Sequence, residues 1–452
     1  MKKLITLALA LALIMLFSLA ACGSPTQNTP GSEQTTSDNA KNETPATEAD
    51  KPYDGTTITV VTTGSGPVYA AEKHLDEFKA LTGITVNLEQ YEFQEAVNKI
   101  AINAAAGGKD IDVLCYRPIQ ETIAWTQNGY FEPLNDYIAA AGDEYDYEDF
   151  SPAAREITTV NGQIVGIPYL VEGEIIWYNA EILEKYNCSV PTTMEELLEV
   201  AQKCYDPANN VYGLSLRGEG NGAVTQFSGF LYAYGGDFFD ENKNATMNTS
   251  EALQALELYA DLVATGPEGA DVSTMNNTLD WFINGVTAMR IDAYTHTVSI
   301  VDPEKSLIVD KVGYAQFPEG PAGSTPYNIV AWAWGISSTS EKKDAAWEFI
   351  KWISSKDMDV QGMVEGGYSA RTSTWENPII SDLHDPQMAE VVAKTSEVGK
   401  PYDRPFCSNA AEVRAIVGKM IDAANSGLRG DELKTVVEEL NAEMQTILDT
   451  EK

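Results

Sequence analysis

The stretch YNIVAWAWGISS, residues 327–338, sets Trp332 and Trp334 two positions apart among Ala331, Ala333 and Gly335. Read as a β-strand, it sends both indoles from one face and the small residues from the other. Flat indoles stack, either on core side chains or on the apolar C–H face of a ligand. Glu172, in IPYLVEGEIIWYN, is a carboxylate set among apolar residues. A charge in such surroundings needs a partner, which makes Glu172 a ligand-binding candidate. Stacking and hydrogen bonding are the chemistry of recognition rather than of turnover.

Catalytic signatures are missing. The sequence holds no Walker A loop, no G-x-S-x-G elbow and no H-E-x-x-H pair. His74, His296 and His384 lie far apart without metal-ligand spacing. GEGNGA (218–223) lacks the second half of a phosphate loop and reads as a flexible loop. DENKNATMNTSE puts Asp240, Asn242, Asn244 and Glu251 at positions 1, 3, 5 and 12 of an EF-hand-like loop. Ala245, however, stands where that loop needs glycine. The better reading is a polar turn leading into a helix whose first turn holds Ser250 and Glu251. No cofactor and no metal are expected.

The elements that would position these residues alternate. TTITVVTT (56–63) reads as a strand, VYAAEKHLDEFKALTG as a helix stopped by Gly83, ITVNLEQY as a strand, FQEAVNKIAINAAAGG as a helix and IDVLCY as a strand. This alternation argues for a parallel α/β sheet, in which ligands bind beyond the carboxyl ends of the strands. The loops after Thr63, Tyr91 and Tyr116 follow, and with them Gly64, Ser65, Glu92, Tyr116 and Glu121. Downstream, NGQIVGIPYLVEGEIIWYN reads as a pair of short strands, and VPTTMEELLEVAQKC as a helix opened by a Thr193–Glu196 capping box. Further strands are GVTAMRID, KVGYAQF and AWAWGIS. Helices fall around 224–234, 250–264, 279–284, 410–425 and 431–449.

The 452 residues, 44% of them apolar, suffice for two lobes of ordinary size, and a formal net charge of −37 argues against nucleic acid as a partner. Residues 1–21 read as a signal peptide: the basic MKK, an apolar LITLALALALIMLF, then Leu19-Ala20-Ala21-Cys22. That tetrapeptide resembles a bacterial lipobox, which implies lipidation of Cys22 and tethering to the membrane without spanning it. Residues 22–52, rich in Ser, Thr, Pro, Asn and Glu, cannot bury enough surface to fold and form a tether. Cys115, Cys188, Cys204 and Cys407 match no disulfide framework or zinc pattern and read as buried free thiols.

The order of fragments is that of a known family. FKALTGITVNLE, DIDVLCY, QNGYFEPLNDYI, GIPYLVEGEIIWYNAEILEKYN, VPTTMEELLEVAQK, YGGDFFDENKNATMNTSEALQALELYADLV, FINGVTAMRID, KVGYAQFPEGPAGS, AWAWGISSTSEKKDAAWEFIKWI and GGYSARTS follow one another. Over roughly residues 53–450 the chain resembles the extracellular solute-binding protein family 1, the sugar-type lipoproteins of ABC importers, which includes maltose-binding protein. The resemblance implies a two-lobed, hinged α/β fold of the periplasmic-binding-protein (Venus flytrap) type with discontinuous lobes. The lobes would be 53–165 with 293–351 and 166–292 with 352–452, crossing near Gly166, Asp292 and Lys351 and closing on a ligand in the cleft. It implies a carbohydrate or related polyol as ligand, ABC permease subunits as partners, a monomer, and an extracytoplasmic location on a lipid anchor, of Gram-positive type.

Residue by residue, the resemblance places Glu172 on a ligand-binding glutamate, Asp292 and Tyr294 at the cleft end of a strand, and Trp332 on a stacking platform. Trp334 lies one step further along, as platform or core. Tyr368 and Arg371 fall on a Gly-rich stretch before an arginine; an arginine there could bind hydroxyls or the carboxylate of a sugar acid. Tyr116 stands where the family has an aromatic, and Phe227 near a ligand-contacting helix start, as contact or core. Thr295 departs from the family's tryptophan, which puts maltose itself in doubt. Two other readings are a hydrolase using Glu172 and Asp292 as paired carboxylates and a sensory lipoprotein presenting ligand to a receptor.

Overall fold

The structure, a computed structural model, describes residues 51–451. Its strands are β1 (Thr57–Thr62), β2 (Thr85–Gln90), β3 (Val113–Tyr116), β4 (Thr159–Val160), β5 (Gln163–Ile164), β6 (Ile167–Asn179), β7 (Tyr212–Ser215), β8 (Thr287–Ala293), β9 (Val312–Ala315) and β10 (Asn328–Ile336). The first half follows the alternation read from the sequence. β1, rich in β-branched residues, pairs in parallel with both β2 and β3. The intervening helices Gly66–Thr82 and Phe93–Ala105 serve as crossovers, the first stopped by Gly83 at φ 84°, a left-handed conformation that favours glycine.

The main sheet runs β2-β1-β3-β10-β6-β8-β7, with β9 also on β6; β4 and β5 form a separate hairpin. The expected pair of short strands is thus a short hairpin followed by a single 13-residue strand, β6. β6 changes partners in its middle. Ile167–Gly173 lies antiparallel to β10, while Glu174–Asn179 lies between β8 and β9. The change falls at Gly173, where space is short: a Cβ there would lie 2.7 Å from Thr395 Cγ2 and 3.0 Å from Asn328 Oδ1. Only hydrogen fits at this position without displacing neighbours.

Two hydrophobic cores flank this strand. The first gathers Val60, Val61, Phe78, Val113, Ile167, Trp334, Phe349 and Ile350. The second gathers Ile176, Leu197, Leu214, Phe227, Phe230, Tyr259, Ile291, Val417 and Met444. Helices sort between them by their apolar stripes. In Lys343–Ile353, Ala346, Phe349, Ile350 and Ile353 are buried against the first core. Helix Met194–Lys203 buries Met194, Leu197 and Ala201 in the second. Its cap is half of the box read from the sequence: Thr193 Oγ1 accepts from the Glu196 amide at 3.2 Å, but Glu196 turns back to the amide of Thr192, 2.8 Å away.

The EF-hand-like segment is a turn closed on itself. Asp240 accepts from the backbone N–H groups of Asn242 and Asn244 and from the Asn244 side chain. Thr249 then caps helix Ser250–Val263. The N-terminal segment, Cys22 included, lies outside the described residues.

Candidate functional site

The carboxyl ends of the parallel strands supply the first groups. Beyond β1, Ser65 opens helix Gly66–Thr82, with a buried hydroxyl oxygen that has no hydrogen-bond partner in the protein. Beyond β3, helix Pro118–Gln127 carries Glu121, which is buried and ion-paired with Arg117 at the strand end. Arg117 Nε donates to both carboxylate oxygens at 3.1 Å and its backbone N–H to one at 2.8 Å. Burial nonetheless pushes the Glu121 carboxyl above the usual range, against the pull of Arg117. Tyr116, the last residue of β3, is buried against Phe131, ring centroids 4.7 Å apart, and its hydroxyl has no protein partner. It packs so close to Gly166 that a Cβ there would fall 2.9 Å from the ring.

In the second half the parallel pair β7 and β8 ends in charge. Arg217, two residues past β7, donates to Asp292 near the end of β8, through Nε at 3.2 Å and Nη2 at 2.5 Å. The fully buried Arg290 donates to the same carboxylate at 2.7 Å, and the Ala293 amide at 2.8 Å. Burial alone would raise the Asp292 carboxyl, but the two arginines outweigh it and hold the carboxyl far below the usual range. Arg290 also reaches His296 Nδ1 at 2.9 Å, which makes that nitrogen the acceptor of a neutral ring; burial lowers His296 to about 4.

Between these strand ends lies β6. Glu172 is half-buried, accepting from Thr295 Oγ1 at 3.2 Å, and its carboxyl is raised first by burial and then by the nearby Asp403 charge. Glu174, two residues on and on the same face by strand period, is fully buried, with neither carboxylate oxygen hydrogen-bonded. Burial first, and then the Asp292 charge, raise its carboxyl well above the ordinary range. Its backbone N–H bonds Tyr327 O at 2.9 Å, and the buried hydroxyls of Tyr327 and Tyr294 also lack protein partners. Arg404 pairs with Asp403, which also accepts from Thr225 at 2.8 Å. The Arg404 charge acts on both Glu121 and Glu172, and that of Arg217 on both Glu172 and Glu174. Groups from the ends of β3, β7 and β8 and the middle of β6 thus form one electrostatic cluster.

Several sequence candidates fall elsewhere. Trp334 is fully buried, stacked on Tyr169 with centroids 4.3 Å apart and planes 20° from parallel, and is core. Trp332 is only partly buried. The two differ because pairing with β6 slips between Val330 and Trp332 and again between Trp332 and Ala333, interrupting the two-residue alternation. Arg371 is fully buried with its donors used inside the protein, on Asp149 and on the carbonyls of Tyr145, Asp146 and Ser354. It braces the first core and does not offer a sugar acid its guanidinium. Phe227 is core, edge-on to Tyr259 at 5.7 Å. Tyr368 is buried against Tyr294, centroids 5.2 Å apart, and so supports the cluster from behind. Asp292 is saturated by two arginines and a backbone amide, so it cannot serve as the second carboxylate of a hydrolase. Glu92 is exposed at the start of helix Phe93–Ala105.

Sequence reasoning missed Arg217, Glu174, Tyr327, Asp403 and Arg404. The strand-end rule that selected Ser65 and Glu121 selects Arg217 once YGLS is read as a strand. The isolated-charge argument made for Glu172 applies equally to Glu174. Asp403 and Arg404 sit in PYDRPF, which has neither helical nor strand periodicity.

An α/β frame whose strand ends converge on buried and half-buried acids, arginines and unpartnered hydroxyls is that of a protein that encloses a small polar solute. The chain belongs to the bacterial extracellular solute-binding proteins, the family matching residues 57–359. It is a binding protein and not an enzyme. Among its relatives, the mannitol-binding protein of Pseudomonas aeruginosa is 26% identical over 348 residues, 73% of this chain and 79% of the relative. An ABC-transporter solute-binding protein from Agrobacterium radiobacter, solved with ribitol, superposes with a TM-score of 0.72 at 26% identity, covering 88% of this chain and all of that one. One from Agrobacterium vitis with D-mannitol gives 0.64 at 26% identity over 88% of this chain and 98% of that one. The maltose-type protein MalE of Xanthomonas citri, at 19% identity and a TM-score of 0.74 over 87% and 98%, shares the fold.

Proposed function

We propose that the protein captures an uncharged polyol or small sugar at the β6-centred cluster and hands it to an ABC importer. The observation that carries this is the set of buried oxygens with no partner in the protein: both of Glu174 and the hydroxyls of Tyr294 and Tyr327. A buried polar group left unpaired costs about 1–3 kcal/mol, and a polyhydroxylated guest removes that cost by donating and accepting along its whole length. The two Glu174 oxygens would meet hydroxyls of the guest. Half-buried Trp332 would offer its ring to the C–H face of the guest, while Glu172 and Arg404 would grip the edge. The mannitol and ribitol relatives support a linear polyol. The pairing of Arg117, Arg217 and Arg404 with carboxylates of their own argues against a sugar acid.

The bodies built on the two cores would act as the two lobes, rotating about β6 and its neighbours, the ligand shifting the population toward closure by touching both. Val360, Met363, Tyr368, Trp375 and Val392 pack in the first core, so the chain crosses beyond the expected point near Lys351. Lipidated Cys22 and the 22–52 tether would hold the binding body at the outer face of the membrane.

A thermal-shift screen with ribitol, mannitol, erythritol, mono- and disaccharides and their acid forms tests the reading. A ligand at a hundredfold over its Kd stabilises by about 2.7 kcal/mol, and at least one neutral polyol or sugar should do so. A response confined to acids, amino acids or peptides would overturn it.

A further inference from the structure

The four cysteines of the described chain are all free thiols, yet two of them meet. Cys188 Sγ and Cys204 Sγ lie 3.8 Å apart, although the residues are sixteen positions apart in the chain. Cys115, by contrast, sits beside the Tyr169 hydroxyl at 3.2 Å, and Cys407 is buried near Glu451.

The backbone around the pair is held on both sides. Cys188 follows helix Ala180–Lys185, whose end is fixed by Asn187 at φ 51° and by the Cys188 amide bonding Leu183 O at 2.8 Å. Cys204 caps helix Met194–Lys203, its amide bonding Val200 O at 3.0 Å. Two cross-links bracket the sulfurs: Lys203 Nζ donates to Asn187 O at 2.8 Å, and the Tyr186 hydroxyl donates to Asp206 at 2.8 Å. An S–S bond of about 2.05 Å therefore needs the side chains to close the remaining gap while these cross-links keep the two segments side by side. Cys204 is fully buried but Cys188 is partly exposed, which leaves one sulfur of the pair open to an outside reagent. The family works outside the cytoplasm, where disulfides form and persist.

We propose that Cys188 and Cys204 form a disulfide in the exported protein, stapling helix Ala180–Lys185 to helix Met194–Lys203 on the second core. The oxidant is a disulfide, either of an extracytoplasmic oxidoreductase or of a small molecule. The Cys188 thiolate attacks one of its sulfurs and releases one thiol, forming a mixed disulfide. Cys204 then loses its proton, attacks Cys188 Sγ and releases the second thiol. Two protein thiols become one disulfide, and the reagent disulfide becomes two thiols, so protons and electrons balance. Burial pushes the Cys204 thiol up to about 12, which makes the second step the slow one.

The test treats the folded, full-length chain with oxidised glutathione, quenches it with an alkylating agent and maps peptides with and without reductant. The expected product is a single cross-linked peptide pair, 188 with 204, with Cys115 and Cys407 alkylated only after unfolding. Reduction should lower Tm by on the order of 5 °C in the oxidised wild type, and should leave Tm unmoved in Cys188→Ser and Cys204→Ser. Cys115→Ser, a variant outside the pair, should still respond. Cys188 that stays alkylatable, or stops at the glutathione mixed disulfide, overturns the proposal. So does a cross-link between any other pair.

Discussion

Truncating each tryptophan of β10 in turn should separate stability from binding. In Trp334→Ala the lost ring is fully buried, stacked on Tyr169 at 4.3 Å and edge-on to Phe349 at 6.2 Å. Removing a buried indole from such a site costs about 3–5 kcal/mol, because the cavity left behind cannot collapse completely. Trp334→Phe should cost less than that: it keeps part of the stack and removes an indole N–H that has no partner in the protein. Trp332 is half-buried at the rim of the same core, so Trp332→Ala should cost only about 1–2 kcal/mol of stability. Its effect belongs to the ligand. Loss of a stacking face worth about 1.5 kcal/mol weakens affinity roughly tenfold. Urea unfolding measures the first quantity, and titration calorimetry with the polyol found by thermal shift measures the second. If Trp332→Ala destabilised as much as Trp334→Ala while affinity stayed within twofold of wild type, the separation drawn from the slipped β6–β10 register would be refuted.

Arg371→Met should cost about 3–5 kcal/mol by leaving three carbonyls without their donor and removing the arginine from partly buried Asp149, which keeps Ser373, and affinity measured on the surviving folded fraction should match wild type. His296 is neutral in the folded chain, held near 4, but titrates near 6.5 once unfolded. Below about pH 6.5 the unfolded chain therefore binds the extra proton, and stability falls by up to about 3 kcal/mol on acidification to pH 4. His296→Gln should flatten that part of the pH–Tm curve. Gly173→Ala pushes a methyl against Thr395, Asn328 and Tyr294 and should lower stability by about 1–3 kcal/mol in thermal melts.

Where local pattern and tertiary role coincide, the sequence sufficed. The β1–β2–β3 alternation, the helix stopped at Gly83 and the apolar stripe of Lys343–Ile353 are all local signals, and all hold. Failures came where a side chain's surroundings depend on distant partners. Arg371 looks like a ligand arginine until Asp149, 222 positions away, claims it. Trp332 and Trp334 look equivalent until a slip in pairing with β6 divides them. Asp292 was found by the hinge-strand resemblance, but its saturation by Arg217 and Arg290 needed the ends of β7 and β8 to be brought together.

β6 carries one further implication. Because its first seven residues pair with β10 on one side of the sheet and its last six with β8 and β9 on the other, neither half of the molecule owns a full set of edges without it. A fragment cut on either side of Gly173 would expose unpaired backbone along β10 or β8, an invitation to aggregate. Assembly of the two cores should therefore be cooperative, with a single calorimetric transition, and gene splitting or circular permutation should succeed only at breakpoints that leave this shared strand intact.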